Sequence, residues 1–285
     1  TLAFTTSITL ALSPLPPKNA VMLAVHFNSI QQAMEAVVPV MDHHLYTCEL
    51  MDKIILDCTK DHPGYKKNRF FLEGDPKAIL LLELRGDTLE ILEIELRALQ
   101  ETIINSGLSY AAIPLWGEEI VLANELRNAG LGLLGNIVGD SKAVACIEDT
   151  AVPLKQLALY IKDFQVLMKE FNQEVVYYAH AGAGELHLRP ILNLKTKKGV
   201  EDFKTITLAV AYLVKKYKGS LSGEHGDGIV RSEFIPIVVG KENYQLFKRI
   251  KKIFDPNSIF NPGKIVDSFP MDKNLRTLQK ETPIH

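Results

Sequence analysis

Strand-length apolar runs alternate with long amphipathic segments twice along this chain, and that repeated grammar restricts the folds open to it. In the first pass AVMLAVHF (20–27) is a continuous apolar run, and SIQQAMEAVVPVMDHH has helical periodicity with Ser29 as its cap. LYTCELMDKIILD returns to short apolar segments. AILLLELRGD (78–87) reads as a buried strand closed by Gly86-Asp87, and TLEILEIELRALQETIINSG reads as an amphipathic helix ended by Gly107. The second pass begins at Lys142. AVACIEDTAVP is strand-like, PLKQLALYIKDFQVLMKEFN is a helix opening at Pro153, EVVYYAHAG and ELHLRPILNL are strands, and GVEDFKTITLAVAYLVKKYKG is a helix ended by Gly219. Hairpin-like strands alternating with helices predict an α+β fold, an antiparallel sheet covered by helices on one face and built as two ferredoxin-like units.

Residues 4–13 read as a further strand, stopped by the proline-rich SPLPP, and the chain opens without an initiator methionine, as a piece of a longer one would. Between the passes, LWGEEIVLANELRNAGLGLLGNIVGDSK predicts a helix followed by a mobile loop and holds Trp116 and Arg127. Lys plus Arg number 32 against 34 Asp plus Glu, a balance that argues against a nucleic-acid partner or a polybasic membrane patch. Cys48, Cys58 and Cys146 are scattered, without CxxC spacing. They predict a reducing, cytoplasmic setting and no iron–sulfur cluster within the chain. No apolar run reaches the roughly 20 residues that cross a bilayer.

Two glycine-rich stretches collect the chemistry. In YAHAGAGELHLRP (178–190) a tight strand-turn-strand would return His180 and His187 to one another. In SGEHGDG (222–228) the adjacent Glu224 and His225 would point to opposite sides of a regular strand, but Gly223, Gly226 and Gly228 permit an irregular path that brings both to one place. Two imidazoles and a carboxylate, His180, His187 and Glu224, suit a divalent transition metal with a coordination position open to substrate. His225 would then remain a free imidazole able to act as general base. The stretch IVRSEFIP that follows reads as strand-like. GEHGDG has neither the GxGxxG pattern nor the Lys-Ser/Thr of a nucleotide phosphate loop. Arg127, Arg189 and Arg231 are candidate carboxylate clamps, and Arg189 shares a strand face with His187. Satisfied core histidines and a simple turn are the plain alternative.

SGEHGDGIVRSEFIP together with IKKIFDPNSIFNPGKIV (250–266) resembles the carboxyl-terminal part of FAD-linked oxidases of the vanillyl-alcohol oxidase type, in the glycolate oxidase and D-lactate dehydrogenase branch. TLAFTTSITLALSPLPP is similar to the last strand of that family's FAD-binding domain, and HAGAGELHLRP and VDSFPMDKNLR look most like large members in which an iron–sulfur domain follows. The resemblance implies that residues 1–18 close the FAD-binding domain, 19–266 form a substrate or cap domain, and 267–285 lead toward an iron–sulfur domain. It implies the substrate-binding, metal-bearing part of a FAD-dependent D-2-hydroxyacid dehydrogenase acting on a D-lactate-like acid. Zinc or a similar ion would sit on His180, His187 and Glu224, with His225 as base beside the flavin, hydride passing to the flavin, and Asn261 of NPGK near the flavin. Arg127 would grip the substrate carboxylate, a task the strand pattern offers to Arg189 as well. Implied partners are a small 2-hydroxy acid, the flanking FAD and iron–sulfur domains, an electron acceptor that could bring the protein to the inner membrane, and a second copy in an oligomer. The family's frequent GDGN is absent, with Ala183 and Glu185 at its acidic and asparagine positions. A non-catalytic carboxylate- or partner-binding module and a metal-free flavin alcohol oxidase stay open as other readings.

Overall fold

In the computed structural model, which describes residues 1–276, the first apolar run becomes β1 (Asn19–Phe27), buried continuously from Val21 to Phe27. Such a strand must lie inside a sheet covered on both sides, and β1 does, paired antiparallel with β3 (Ala78–Gly86) and β4 (Ser109–Trp116). Between them run α1 (Ile30–Val40), β2 (Thr47–Asp52), α2 (Lys53–Cys58) and α3 (Leu89–Ser106). Local chemistry fixes the helix ends. Ser29 and Thr88 accept amide hydrogens at the N-termini of α1 and α3, and Gly107 ends α3 with φ 63°. The resulting order β4-β1-β3-β2 is that of a ferredoxin-like unit. The reading above had no strand at β4. Its Pro114 is tolerated because β4 is the sheet edge, where a missing backbone donor leaves no ladder bond unmade.

After α4 (Glu118–Leu133) and the two-residue β5 (Lys142–Ala143), the grammar repeats. It runs through β6 (Ile147–Ala151), α5 (Leu157–Glu170), β7 (Val175–His180), β8 (Glu185–Leu192) and α6 (Lys197–Lys216). Here β8 pairs with β7 on one edge and with β6 and β5 on the other. The fourth strand of this unit shrinks to one bridge, Ala151 with Ser220, after which the chain peels away. The two units join through β2 and β7 at Leu50↔Ala179 and Met51↔Tyr178. Asp52 extends that short seam, its carboxylate capping α2 through the Ile55 amide at 2.9 Å and accepting from the Tyr177 amide at 2.8 Å.

Helices α1, α3, α5 and α6 bury one face of the sheet through residues such as Met34, Leu99, Phe164 and Val210. The other face is covered too, by Ile55 and Leu56 of α2 and Ile120 and Leu126 of α4. The expectation of a single covered face therefore needs correction, because the short apolar segments after β2 form a helix.

Two further expectations change. Residues 4–13 form no strand, since a strand needs a hydrogen-bonding neighbour and none among the described residues adjoins them. Ile8, Leu10 and Leu12 are exposed there, and Phe4 meets Phe260 at a ring separation of 5.0 Å. IVRSEFIP is not a strand either. It turns into α7 (Ile235–Val239), with Pro236 in its first turn, followed after Gly240 by α8 (Lys241–Phe254). Of the expected tail 267–285, residues 277–285 lie outside those described. No helix among the described residues is long and apolar enough to cross a membrane.

The β7–β8 turn depends on Gly184, with φ +70° and a position where a Cβ would collide with the Val152 carbonyl. Gly226 has φ +81° with open space around it. Chemical denaturation should show Gly184→Ala losing about 3 kcal/mol from strain plus collision and Gly226→Ala only about 1 kcal/mol from strain alone. Equal losses would contradict this account of the turn.

Candidate active site

Register on the β7–β8 hairpin decides which side chains meet. Tyr178 stands opposite His187, His180 opposite Glu185 and Val176 opposite Arg189. With period two, all six share a face, while Ala179, Leu186 and Leu188 point into the helix-covered core.

Each histidine is oriented through Nδ1. His187 Nδ1 donates to the Glu148 carbonyl at 2.6 Å, and since a carbonyl only accepts, the lone pair lies on Nε2. His180 Nδ1 donates to Glu49 Oε2 at 2.9 Å. Glu49 raises the His180 pKa above the usual imidazole value through that hydrogen bond, whereas burial lowers that of His187. The two Nε2 atoms then face one carboxylate oxygen, Glu224 Oε1, at 3.5 Å and 3.2 Å. These donor atoms lie within 4.8 Å of one another. Glu224 Oε1 can accept a hydrogen bond from a protonated Nε2, which the raised pKa favours at His180, and the same imidazole–carboxylate set suits zinc or a similar divalent ion.

The glycine-rich loop supplies the fourth member. Glu224 and His225 do turn to the same place, with His225 Nε2 3.3 Å from Glu224 Oε1 and the His225 ring stacked on His187 at 5.3 Å. Gly223 leaves room for the Glu185 carboxyl, which a Cβ there would have to displace. An open cleft of about 390 Å³ is lined by Ala151, His180, Ala183, Glu185, Gly223 and Glu224.

The arginines arrive as counter-ions. Arg127, from α4, is buried with Nη2 2.5 Å from Glu49 Oε2 and its guanidinium over the Tyr178 ring at 4.4 Å. Arg189 pairs with Glu148 at 2.5 Å, and Arg231 with Asp149 at 3.2 Å while donating to the Gly226 carbonyl at 2.6 Å. Asn261 is placed elsewhere, in a cavity of about 170 Å³ shared with Phe4, Phe254 and Phe260. Its Oδ1 accepts from Lys264 Nζ at 3.3 Å.

Sequence reasoning missed Glu49, Glu148 and Asp149. Glu148 and Asp149 are consecutive in β6, yet both serve the site, because the register slips between Ile147 and Thr150 and the extra residue re-aims them. Their signal was present in IEDT and TCELMD, where carboxylates interrupt strands otherwise bound for the core. Glu185 is set apart from the other carboxylates. Burial, together with a hydrogen bond to Asp149, pushes its carboxyl up to about 8, so it favours the neutral form at pH 7. Burial opposes ionisation of Asp149, but the Ser222 hydroxyl and the amides of Glu224 and His225 outweigh it and hold its carboxyl below the usual range.

The family model described as "FAD linked oxidases, C-terminal domain" matches residues 16–265. A D-2-hydroxyglutarate dehydrogenase of Pseudomonas putida is 35% identical over 267 residues, 89% of this chain and 26% of that protein. A D-lactate dehydrogenase of Anaerostipes hadrus is 28% identical over 93% of this chain and 56% of its own length. The chain thus spans about a quarter and about half of these relatives. Among solved structures, a p-cresol methylhydroxylase with substrate bound superposes with a TM-score of 0.61 at 12% identity, over 91% of this chain and 54% of the other, a likeness of fold.

The Glu185–Asp149 pair has a measurable consequence. Glu185 titrates near 4.5 when unperturbed and near 8 here, so the folded state binds its proton more tightly. Its stabilising contribution is complete below about pH 4.5 and is lost as pH rises through about 8. Glu185→Gln should flatten the fall in Tm across that window. Parallel Tm profiles for the two proteins would contradict a shared proton.

Proposed function

The chain belongs to the family of FAD-linked oxidase C-terminal domains, and from that premise we propose that it is the substrate-binding, metal-bearing part of a FAD-dependent D-2-hydroxyacid dehydrogenase. The observation that carries this reading is the convergence of His180 Nε2, His187 Nε2 and His225 Nε2 on Glu224 Oε1. In this reading His180, His187 and Glu224 hold a divalent ion, zinc being the one their chemistry suits. When bound, such an ion supplies a Lewis acid that polarises the hydroxyl and carboxylate of a 2-hydroxy acid. FAD, held mainly by the part of the protein upstream, supplies the hydride acceptor.

The remaining work falls to this chain's own residues. His225 Nε2 takes the hydroxyl proton, and Glu148 Oε1, 3.6 Å from Nδ1, faces the opposite edge of the ring and favours the cation that forms. Arg189 uses one nitrogen on Glu148 and retains donors for a substrate carboxylate. Arg127 acts through Glu49, and hence through His180, and we assign Asn261 to the flavin side. The lengths of the relatives support further domains beside this one, among which we place an iron–sulfur domain downstream. The names of the relatives make D-2-hydroxyglutarate and D-lactate the first acids to test.

Metal analysis of the purified chain should find about one divalent ion, and clearly less after His187→Ala. Joined to the FAD-binding part, the protein should bleach its flavin anaerobically with one D-2-hydroxy acid and not with its L-enantiomer. Bleaching without metal would favour a metal-free alcohol oxidase. A flavin left oxidised by every acid would sink the dehydrogenase reading.

A further inference from the structure

Among the described residues the second ferredoxin-like unit has only the Ala151–Ser220 bridge in place of a fourth strand, and the way its edge is satisfied bears on the site. Ser220 still exchanges both backbone hydrogen bonds with Ala151, at 2.8 Å and 3.0 Å, and the Gly223 amide reaches the Asp149 carbonyl at 2.8 Å. Beyond Gly223 no backbone acceptor among the described residues continues the ladder, and a side chain takes over. Asp149, fully buried, accepts the Glu224 amide on Oδ1 at 3.0 Å and the His225 amide on Oδ2 at 3.0 Å, and the Ser222 hydroxyl also donates to Oδ2. Arg231 Nη2, 3.2 Å from the same oxygen, ties the far side of the loop to it.

The geometry points to Asp149 as a positioning residue: its carboxylate replaces the missing strand and sets Glu224 and His225 in register with His180 and His187. This rests on the reading of that cluster as a metal and catalytic site. Asp149 is not itself offered as a ligand of a second ion, although its carboxylate lies within 4.8 Å of donor atoms of Glu224 and His225. Its Oδ2 already accepts from Ser222, His225 and Arg231 and its Oδ1 from Glu224, and the carboxylate is hydrogen-bonded to Glu185 as well, so it is engaged with protein partners. The bulge in β6 gives the arrangement its aim, since without the extra residue Glu148 and Asp149 would point to opposite faces.

The test uses the full chain, with zinc alone as the probe. Asp149→Asn keeps the size of the side chain but turns an amide group toward donors that need an acceptor. A folded Asp149→Asn protein, judged by circular dichroism, should bind zinc about 10- to 100-fold more weakly in equilibrium dialysis. Its Glu224 and His225 amides should exchange rapidly with solvent while those of Leu186 and Leu188 stay protected. Unchanged zinc affinity and unchanged protection in a folded variant would overturn the assignment. Should Asp149→Asn fail to fold, Ser222→Ala removes only one donor to the carboxylate. It should weaken zinc binding several-fold and raise exchange at the same two amides, and no change in either would again overturn the inference. If the unaltered chain binds no zinc, the metal reading fails by itself. Amide exchange still decides for Asp149, with protection lost in the variant supporting its role and protection kept refuting it.

Discussion

A sheet edge that loses its neighbouring strand leaves backbone donors that must find other acceptors. At β6 that requirement is met by the Asp149 side chain, and the loop it receives carries the two residues that complete the histidine cluster. The incomplete unit is therefore a condition of the site. A regular fourth strand would alternate its side chains and send Glu224 and His225 to opposite faces, whereas a loop hung on a carboxylate by consecutive amides lets both face His187.

Charge is organised to the same end. Three arginine–carboxylate pairs surround the cluster, Arg127 with Glu49, Arg189 with Glu148 and Arg231 with Asp149. Each carboxylate has a second contact that points inward: Glu49 to His180, Glu148 to His225, and Asp149 to the loop amides. Ion pairs in such places add little net stability once desolvation is counted. Their worth lies in orientation, because a ring held through Nδ1 presents Nε2 in a fixed direction. Glu185 fits the pattern by being neutral: ionised, it would add a negative charge beside Asp149 and Glu224.

Much of this was legible in the sequence, for identifiable reasons. Periodicity found β1, β3 and the long helices, because each buries a continuous stripe or run, and Ser29 and Gly107 marked helix ends through capping chemistry. His180, His187, Glu224 and His225 announced themselves as titratable residues among glycines. The supporting carboxylates did not, since their role arises from register: Glu49 reaches His180 only because β2 lies beside β7, and Asp149 reaches the loop only because β6 slips by one residue. Composition misled at the N-terminus and at IVRSEFIP, where apolar alternation suggested strands but no partner strand among the described residues supported them.

The central claim, that two imidazoles and one carboxylate form a single coordination sphere, is tested most directly by X-ray absorption at the zinc edge on the zinc-loaded chain. The account predicts two imidazole ligands with oxygen completing the sphere and no sulfur, falling to one imidazole in His187→Ala. Sulfur ligation, or a sphere without imidazole, would contradict it and leave the convergence on Glu224 as an arrangement of hydrogen bonds alone.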